Sequence, residues 1–159
     1  MSANTKTSPG RLLRLSLQIY ANRNNTREQN EAFVREYLVK VATIHARNGI
    51  EMYQQVFSPT PLRKALDEMN RKSNRGWVVD DHDLTVEFYF RNFAALEKVR
   101  HDPEFTALQA TEGPFVNSVH TVASLGWVEK YVDSGEVVNV QGGKSVYPGW
   151  AEMEDLSTA

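Results

Sequence analysis

From Leu84 to Arg91 apolar and polar residues alternate without a break. Leu84, Val86, Phe88 and Phe90 fall on one face of an extended strand, and Thr85, Glu87, Tyr89 and Arg91 on the other. A period of two over this length demands a sheet with one buried face. The strand follows Asp80-Asp81-His82-Asp83, an acidic turn carrying a histidine. Its polar face therefore lines solvent, a pocket or a subunit contact.

The same pattern occurs from Arg11 to Tyr20, with Leu13, Leu15, Leu17 and Ile19 opposed to Arg14, Ser16, Gln18 and Tyr20. After a turn at Asn22–Thr26, Thr26 and Gln29 have the spacing of a capping box, and the composition predicts a helix to about Asn48, stopped by Gly49. Its apolar row Val34, Leu38, Val41 continues to His45, which should point at the sheet. Glu51–Phe57 reads as a second strand ended by Pro59 and Pro61, Leu62–Lys72 as helical, and Ser73–Gly76 as a polar break in a long connection of the kind that forms lids or pocket walls. Asn92 is placed to cap a helix over Phe93–Arg100, and Asp102-Pro103 restarts one. A further short helical piece is expected over Pro114–Val122, carrying His120, then a last strand over Ser124–Tyr131 and a hairpin turn at Ser134-Gly135. Val146, Tyr147, Trp150 and Met153 make the tail too apolar for a free end, so it should pack on its own subunit or on a partner.

This order, βαββαβ, is the α+β ferredoxin-like arrangement, in which two helices cover one sheet face. Pairing two uncovered faces gives a dimeric α+β barrel, so a homodimer is expected. The division is a lead-in over residues 1–10, one domain over 11–140 and a tail over 141–159. The chain of 159 residues is 41% hydrophobic and 24% charged, with a net charge of −2 and no cysteine. That composition suits a globular domain and removes disulfide and thiolate chemistry. With no basic run and no apolar stretch of membrane-spanning length, neither nucleic acid nor membrane is expected as a partner. The polar stretch Met1–Gly10 leads to the expectation of an intracellular, cytoplasmic protein.

General acid–base chemistry needs one group to take a proton and another to give one, and histidine suits either task. Of the four histidines, His45 on its apolar row is either a packed core residue or catalytic, and His120 is the second candidate. His82 reads as packing at a pocket rim, and His101 as an exposed helix terminus. Asp83 either caps a turn or takes part in acid–base work. Glu87 does the same work or pairs with Arg14 or Arg91. Tyr20, Tyr53, Tyr89, Gln18 and Gln55 are assigned, with Ser16 and Thr85, to the faces away from the leucines. Rings and uncharged hydrogen-bonding groups there suit a flat polyphenolic ligand. Arg14 is the mid-strand cation of the first strand, and Trp77 and Trp127 belong to the same pocket or to the core. No metal is expected, because His82 between Asp81 and Asp83 would alternate across a strand. No nucleotide cofactor is expected either, since no glycine-rich phosphate motif is present.

Asp81-His82-Asp83 leading to Glu87-Phe88-Tyr89-Phe90, the break Asp102-Pro103-Glu104-Phe105, and Leu125-Gly126-Trp127-Val128-Glu129 before Gly135-Glu136-Val137-Val138 together resemble the EthD-like dimeric α+β barrels. The resemblance is to the fungal branch acting on aromatic polyketides, and it spans roughly Leu12 to Asn139. The first helix departs from the pattern, with Val41-Ala42-Thr43 where His-Ala-Pro is usual and His45 a turn further on. The resemblance implies a cofactor-independent lyase of pigment biosynthesis: a dehydratase of a hydroxylated naphthopyrone or, alternatively, a decarboxylase of an atrochrysone-type acid. A cofactor-free monooxygenase of the same architecture and a non-catalytic polyketide-binding dimer are the other readings.

Overall fold

A computed structural model describes residues 9–157. Most of the expected lead-in, residues 1–8, and the last two residues of the tail lie outside that range. Four long strands, β1 (Leu13–Ala21), β2 (Met52–Phe57), β3 (Leu84–Phe90) and β4 (Val116–Trp127), form one antiparallel sheet in the order β2-β3-β1-β4. This is the ferredoxin-like topology that the element order predicts. In the β1–β3 register Leu13 stands opposite Phe90, Leu15 opposite Phe88 and Leu17 opposite Val86, so the apolar residues of both central strands share one face.

Helical residues before β2 and after β3 pack on that face. Phe90 and Leu13 pack with Ile50, Ala95 and Val99, while Leu84 and Val86 pack with Phe33 and Leu38. Full burial of a side chain such as Phe90 or Ile44 contributes about 1.5–3 kcal/mol. The opposite face carries Arg14, Gln54, Met52, Val56 and Val122, all of them exposed.

The segment expected as one helix from Thr26 to Asn48 changes pitch twice. It runs as α1 (Arg27–Ala32), a π turn (Phe33–Tyr37), a 3₁₀ turn (Leu38–Lys40) and α2 (Val41–Arg47). The apolar spacing accounts for this. Phe33 and Leu38 are five apart, roughly 140° from each other on an α-helix, and a π turn brings them to the same side. Leu38 and Val41 are three apart, and a 3₁₀ turn eclipses them. The reward for both distortions is that Phe33, Leu38, Val41 and His45 are all buried. The capping box forms as expected, with Gln29 N–H donating to Thr26 Oγ1 at 3.2 Å and Thr26 N–H to Gln29 Oε1 at 2.8 Å. Thr26→Ala is expected to lower stability by about 1 kcal/mol, read from urea unfolding, with no change in slope. Gly49 closes α2 at φ +94°, a conformation that favours glycine.

Helix α3 (Thr60–Lys72) follows β2, and α4 (Phe93–Arg100) and α5 (Pro103–Gln109) follow β3. Asn92 begins α4 without a side-chain capping bond, whereas Asp102 caps α5 by accepting from Glu104 N–H and Phe105 N–H. Asp102 also receives both Arg47 Nη2–H at 2.7 Å and Asn48 Nδ2–H at 2.9 Å. The Arg47 guanidinium holds its carboxyl down at about 2. This knot fastens the end of α2 to the start of α5.

The expected helix over Pro114–Val122 is in fact strand, and the last strand begins at Val116 and ends at Trp127. Valine and threonine supply its β-branched residues. The alternation is hidden by a register shift: Gln18 pairs with Val122 and Tyr20 with Asn117, so residues 118–121 stand opposite Ile19 alone. Beyond β4 come two hairpins, β5 (Val132–Asp133) with β6 (Glu136–Val137) and β7 (Val140–Gln141) with β8 (Lys144–Ser145). Ser134-Gly135 and Gly142-Gly143 make the turns with positive φ at both positions. Helix α6 (Trp150–Glu154) ends the tail. Met153 is buried, its carbonyl accepts Arg11 Nη1–H at 2.9 Å, and Trp150 meets Trp127 edge-on at 6.1 Å.

Candidate active site

His45 is carried by α2 onto the sheet and is 2% exposed. Its ring lies among Tyr53 (centroids 4.9 Å apart), Phe88 (5.2 Å, edge-on) and Phe105 (5.6 Å). Its Nδ1 is buried and has no hydrogen-bond partner among the described residues. Desolvation pushes the imidazole down to about 4, so it is neutral at ordinary pH. Tyr53, on β2, is pushed up to about 12, chiefly by burial, with a smaller contribution from the charge of Glu112 and an opposing one from the amide of Gln55. Gln55 Nε2–H donates to the Tyr53 hydroxyl at 2.9 Å. Glu112 is itself shifted up by burial. A neutral imidazole with a free lone pair thus stands beside a phenol held protonated, in an aromatic surrounding.

Tyr53 and Gln55 correct the sequence assignment to the face away from the leucines. Tyr53 pairs with Phe88 and Gln55 with Val86, on the helix-covered face. The two faces of β2, Tyr53-Gln55-Phe57 and Met52-Gln54-Val56, are equally mixed in polarity, so only the pairing with β3 decides.

The opposite face holds a different group. Glu87 pairs with Arg14 at 3.3 Å and accepts from Tyr89 Oη–H at 3.0 Å and from the amide of Gln54. Tyr89 and Glu87 are both buried within this network. At the end of β1, the approach to β3 acts as a clasp. Asp80 accepts from Gln18 Nε2–H at 2.9 Å, Asp81 from the Tyr20 hydroxyl, and Asp83 from Ala21 N–H at 2.9 Å. Asp83 also pairs with Arg23 at 3.3 Å and Arg63 at 3.4 Å.

Because residues 77–82 are not strand, alternation does not separate the side chains of Asp80, Asp81 and His82. Their donor atoms lie within 4.8 Å of one another, correcting the geometric ground on which a metal was set aside. Those carboxylates are instead engaged by Gln18, Tyr20 and His82.

His120 is exposed on the irregular part of β4 and lines an open groove of about 790 Å³ together with Tyr20, Asn22, Arg23 and Asn117. No side chain of the His45 cluster lines this groove. Trp77 is 52% exposed, its backbone clamped by Asn70 through two bonds of 2.7 and 3.0 Å. Trp127 packs at the end of the core, its Nε1–H donating to Glu129 at 3.0 Å. His45 and Tyr53, with Gln55, are therefore brought together, while His120, Asp83 and Glu87 occupy separate places. Glu112 and Phe105 were missed by the sequence reading. Glu112 lies in a turn with no motif, and Phe105 was noted only as the end of the Asp102–Phe105 break.

The model of the EthD domain matches residues 25–118, from the cap of α1 into β4, more than half of the chain. The chain belongs to the EthD family. A protein of Aspergillus terreus (strain NIH 2624) named "Putative oxygenase" is 44% identical to this EthD chain over 145 residues, covering 90% of it and 91% of the relative. The protein named dehydratase iacD of Pestalotiopsis fici is 22% identical over 110 residues, covering 69% and 80%. Among solved structures, a dimeric protein of ferredoxin-like fold from Bacteroides fragilis superposes with a TM-score of 0.51 at 10% identity, over 72% of this EthD chain and 93% of its own. That likeness concerns the fold.

Proposed function

We propose that this EthD chain is a homodimeric, cofactor-independent dehydratase of a hydroxylated aromatic polyketide of the naphthopyrone type, with His45 as base and Tyr53 as acid. The observation that carries the reading is the unpaired, neutral His45 imidazole beside the protonated Tyr53 phenol. His45 takes the proton from the carbon next to the substrate carbonyl, and the electron pair moves into an enolate. The enolate then expels the β-hydroxyl, which leaves as water with the proton of Tyr53. The imidazolium returns its proton to the phenolate, and the ring is aromatic. An isolated imidazole titrating at about 4 is a weak base, but the enolate formed in the same step pairs with the imidazolium and raises its proton affinity.

That the chain is an enzyme is supported by the names of both sequence relatives, and dehydration by the name of the Pestalotiopsis fici one alone. Met52, Val56 and Val122, exposed on the sheet face that carries Arg14, with Leu62 and Met69 on α3, support the homodimer. Arg14, the cation that a decarboxylase would use for a substrate carboxylate, is already paired with Glu87, which puts decarboxylation behind dehydration.

Oxygenation is the second reading, favoured by the name of the Aspergillus terreus relative. It begins with the same proton abstraction but consumes oxygen. Mass spectrometry of a hydroxylated naphthopyrone incubated with the protein, beside an oxygen electrode, tests both. Loss of one water without oxygen uptake is the expected result; uptake with gain of oxygen mass replaces the dehydratase by an oxygenase.

A further inference from the structure

The end of β1 and the irregular part of β4 form the two walls of the open groove of about 790 Å³. The walls are tied to each other. Asn22 N–H donates to the Phe115 carbonyl at 2.9 Å, and the Nδ2–H groups of Asn22 and Asn25 donate to the Pro114 carbonyl at 2.9 and 2.8 Å. Asn24 N–H closes the turn on Asn22 Oδ1 at 3.0 Å. The other wall is shaped by the register shift, which sets residues 118–121 against Ile19 alone and leaves Val119 83% exposed. Such an irregularity gives up regular pairing and re-aims side chains, here into the groove.

The charge of the lining is one-sided. Arg23 and His120 line the groove and, among the described residues, no aspartate or glutamate does, although the chain as a whole carries −2. The Arg23 side chain is 70% exposed and stands 3.3 Å from Asp83, an exposed pairing of the kind that contributes little. When Arg23 turns to another anion, Asp83 keeps Arg63 at 3.4 Å and Ala21 N–H at 2.9 Å. This arginine therefore exchanges partners without leaving a bare carboxylate. Asn117 spends its side-chain carbonyl on Val119 N–H at 3.2 Å. Its Nδ2–H donors and the ring of His120 have no hydrogen-bond partner among the described residues. Ala21, Val116 and Val119 supply apolar surface in the same groove.

We propose that this groove is a binding site for an aromatic carboxylate. The ligand's carboxylate pairs with Arg23 and accepts from Asn117 Nδ2–H, a charge-assisted arrangement, while its ring lies on Val116 and Val119 beside His120. The volume is that of a small-molecule site, and apolar walls with a few placed donors are what such a ligand needs. The site does not rest on the dehydratase reading, since no side chain of the His45 cluster lines the groove.

The probe is 2-naphthoate, titrated into the intact protein at pH 7 by calorimetry and followed in ¹H–¹⁵N spectra. Binding should move the backbone amides of Arg23 and of Asn117 to His120, and should weaken as salt is raised. Arg23→Gln, in which Arg63 still holds Asp83, should weaken 2-naphthoate about tenfold. His120→Ala, which removes no hydrogen bond of the fold, should weaken it less. The uncharged 2-naphthol has the same rings and should bind about tenfold more weakly than 2-naphthoate. Equal affinity for 2-naphthol, or an Arg23→Gln protein that binds 2-naphthoate as the wild type does, overturns the site. Shifts confined to the amides around His45 and Tyr53 also overturn it, and leave the dehydratase reading standing.

Discussion

Replacing His45 by alanine lowers turnover of the naphthopyrone by about 10²–10⁴-fold, the span over which a positioned acid–base group contributes. The loss falls on kcat rather than KM, because the proton transfer is made only on the way to the transition state. Tyr53→Phe keeps the ring against His45 and Phe88 and removes only the hydroxyl, so a smaller but parallel fall in kcat is expected. The pH profile adds a readout that packing alone would not move. Burial holds the free-enzyme imidazole at about 4 instead of 6.5, so kcat/KM should stay level as pH falls through 6.5 and decline only near 4. The Tyr53 phenol, held up at about 12, stays protonated across the neutral range, so no alkaline limb from it is expected there. An acid limb at 6.5, or full activity in His45→Ala, would show that the base lies elsewhere.

The sheet and its topology were legible because β1 and β3 are central strands with one buried face. Period two is enforced by burial, and Leu13, Leu15, Leu17, Phe88 and Phe90 record it in the chain. β4 was not legible from residue 116 to 122, since it is an edge strand with exposed Val119 and Val122. Its shift of register at Ile19 erases the alternation that would have identified it. The long first helix was legible as an amphipathic row, yet its π and 3₁₀ turns follow from the exact intervals between Phe33, Leu38 and Val41, which a count of apolar residues per turn averages away.

For the candidate site the outcome follows the same physics. His45 was placed correctly as sheet-facing because it shares a helical row with Leu38 and Val41. The faces of Tyr53 and Gln55 were misassigned because a strand of mixed polarity gives no local reason to prefer one face; β2 is oriented by hydrogen bonds to β3. Glu112 meets Tyr53 through a turn far along the chain, a long-range placement that leaves no periodic trace. Asp80 to Asp83 stood out in sequence as a charged cluster. The structure makes it a clasp on the end of β1, with each carboxylate tied to a different donor.

The same depressed imidazole sets the acid limit of the fold. His45 titrates at 6.5 when unfolded and at about 4 when folded, so between those values the unfolded chain binds the extra proton. Stability therefore rises with pH through this window, is fully present above 6.5, and is lost as pH falls toward 4. The full shift corresponds to about 3 kcal/mol. Other groups have other windows. Asp102, held down at about 2 by Arg47, costs stability only below the usual aspartate range. Glu112, raised by burial, acts in the opposite sense just above the usual glutamate range. His45→Leu removes the one titration and leaves the others, so the difference between the two proteins isolates it. In urea unfolding at pH 7 and pH 4, the wild type should lose about 3 kcal/mol more than His45→Leu. Equal losses would mean that the imidazole gains a partner when protonated and is not the buried, unpaired base on which the catalytic reading depends. If the difference appears, one proton governs both properties: the acid that protonates His45 in the folded protein silences the base and loosens the aromatic cluster that holds it.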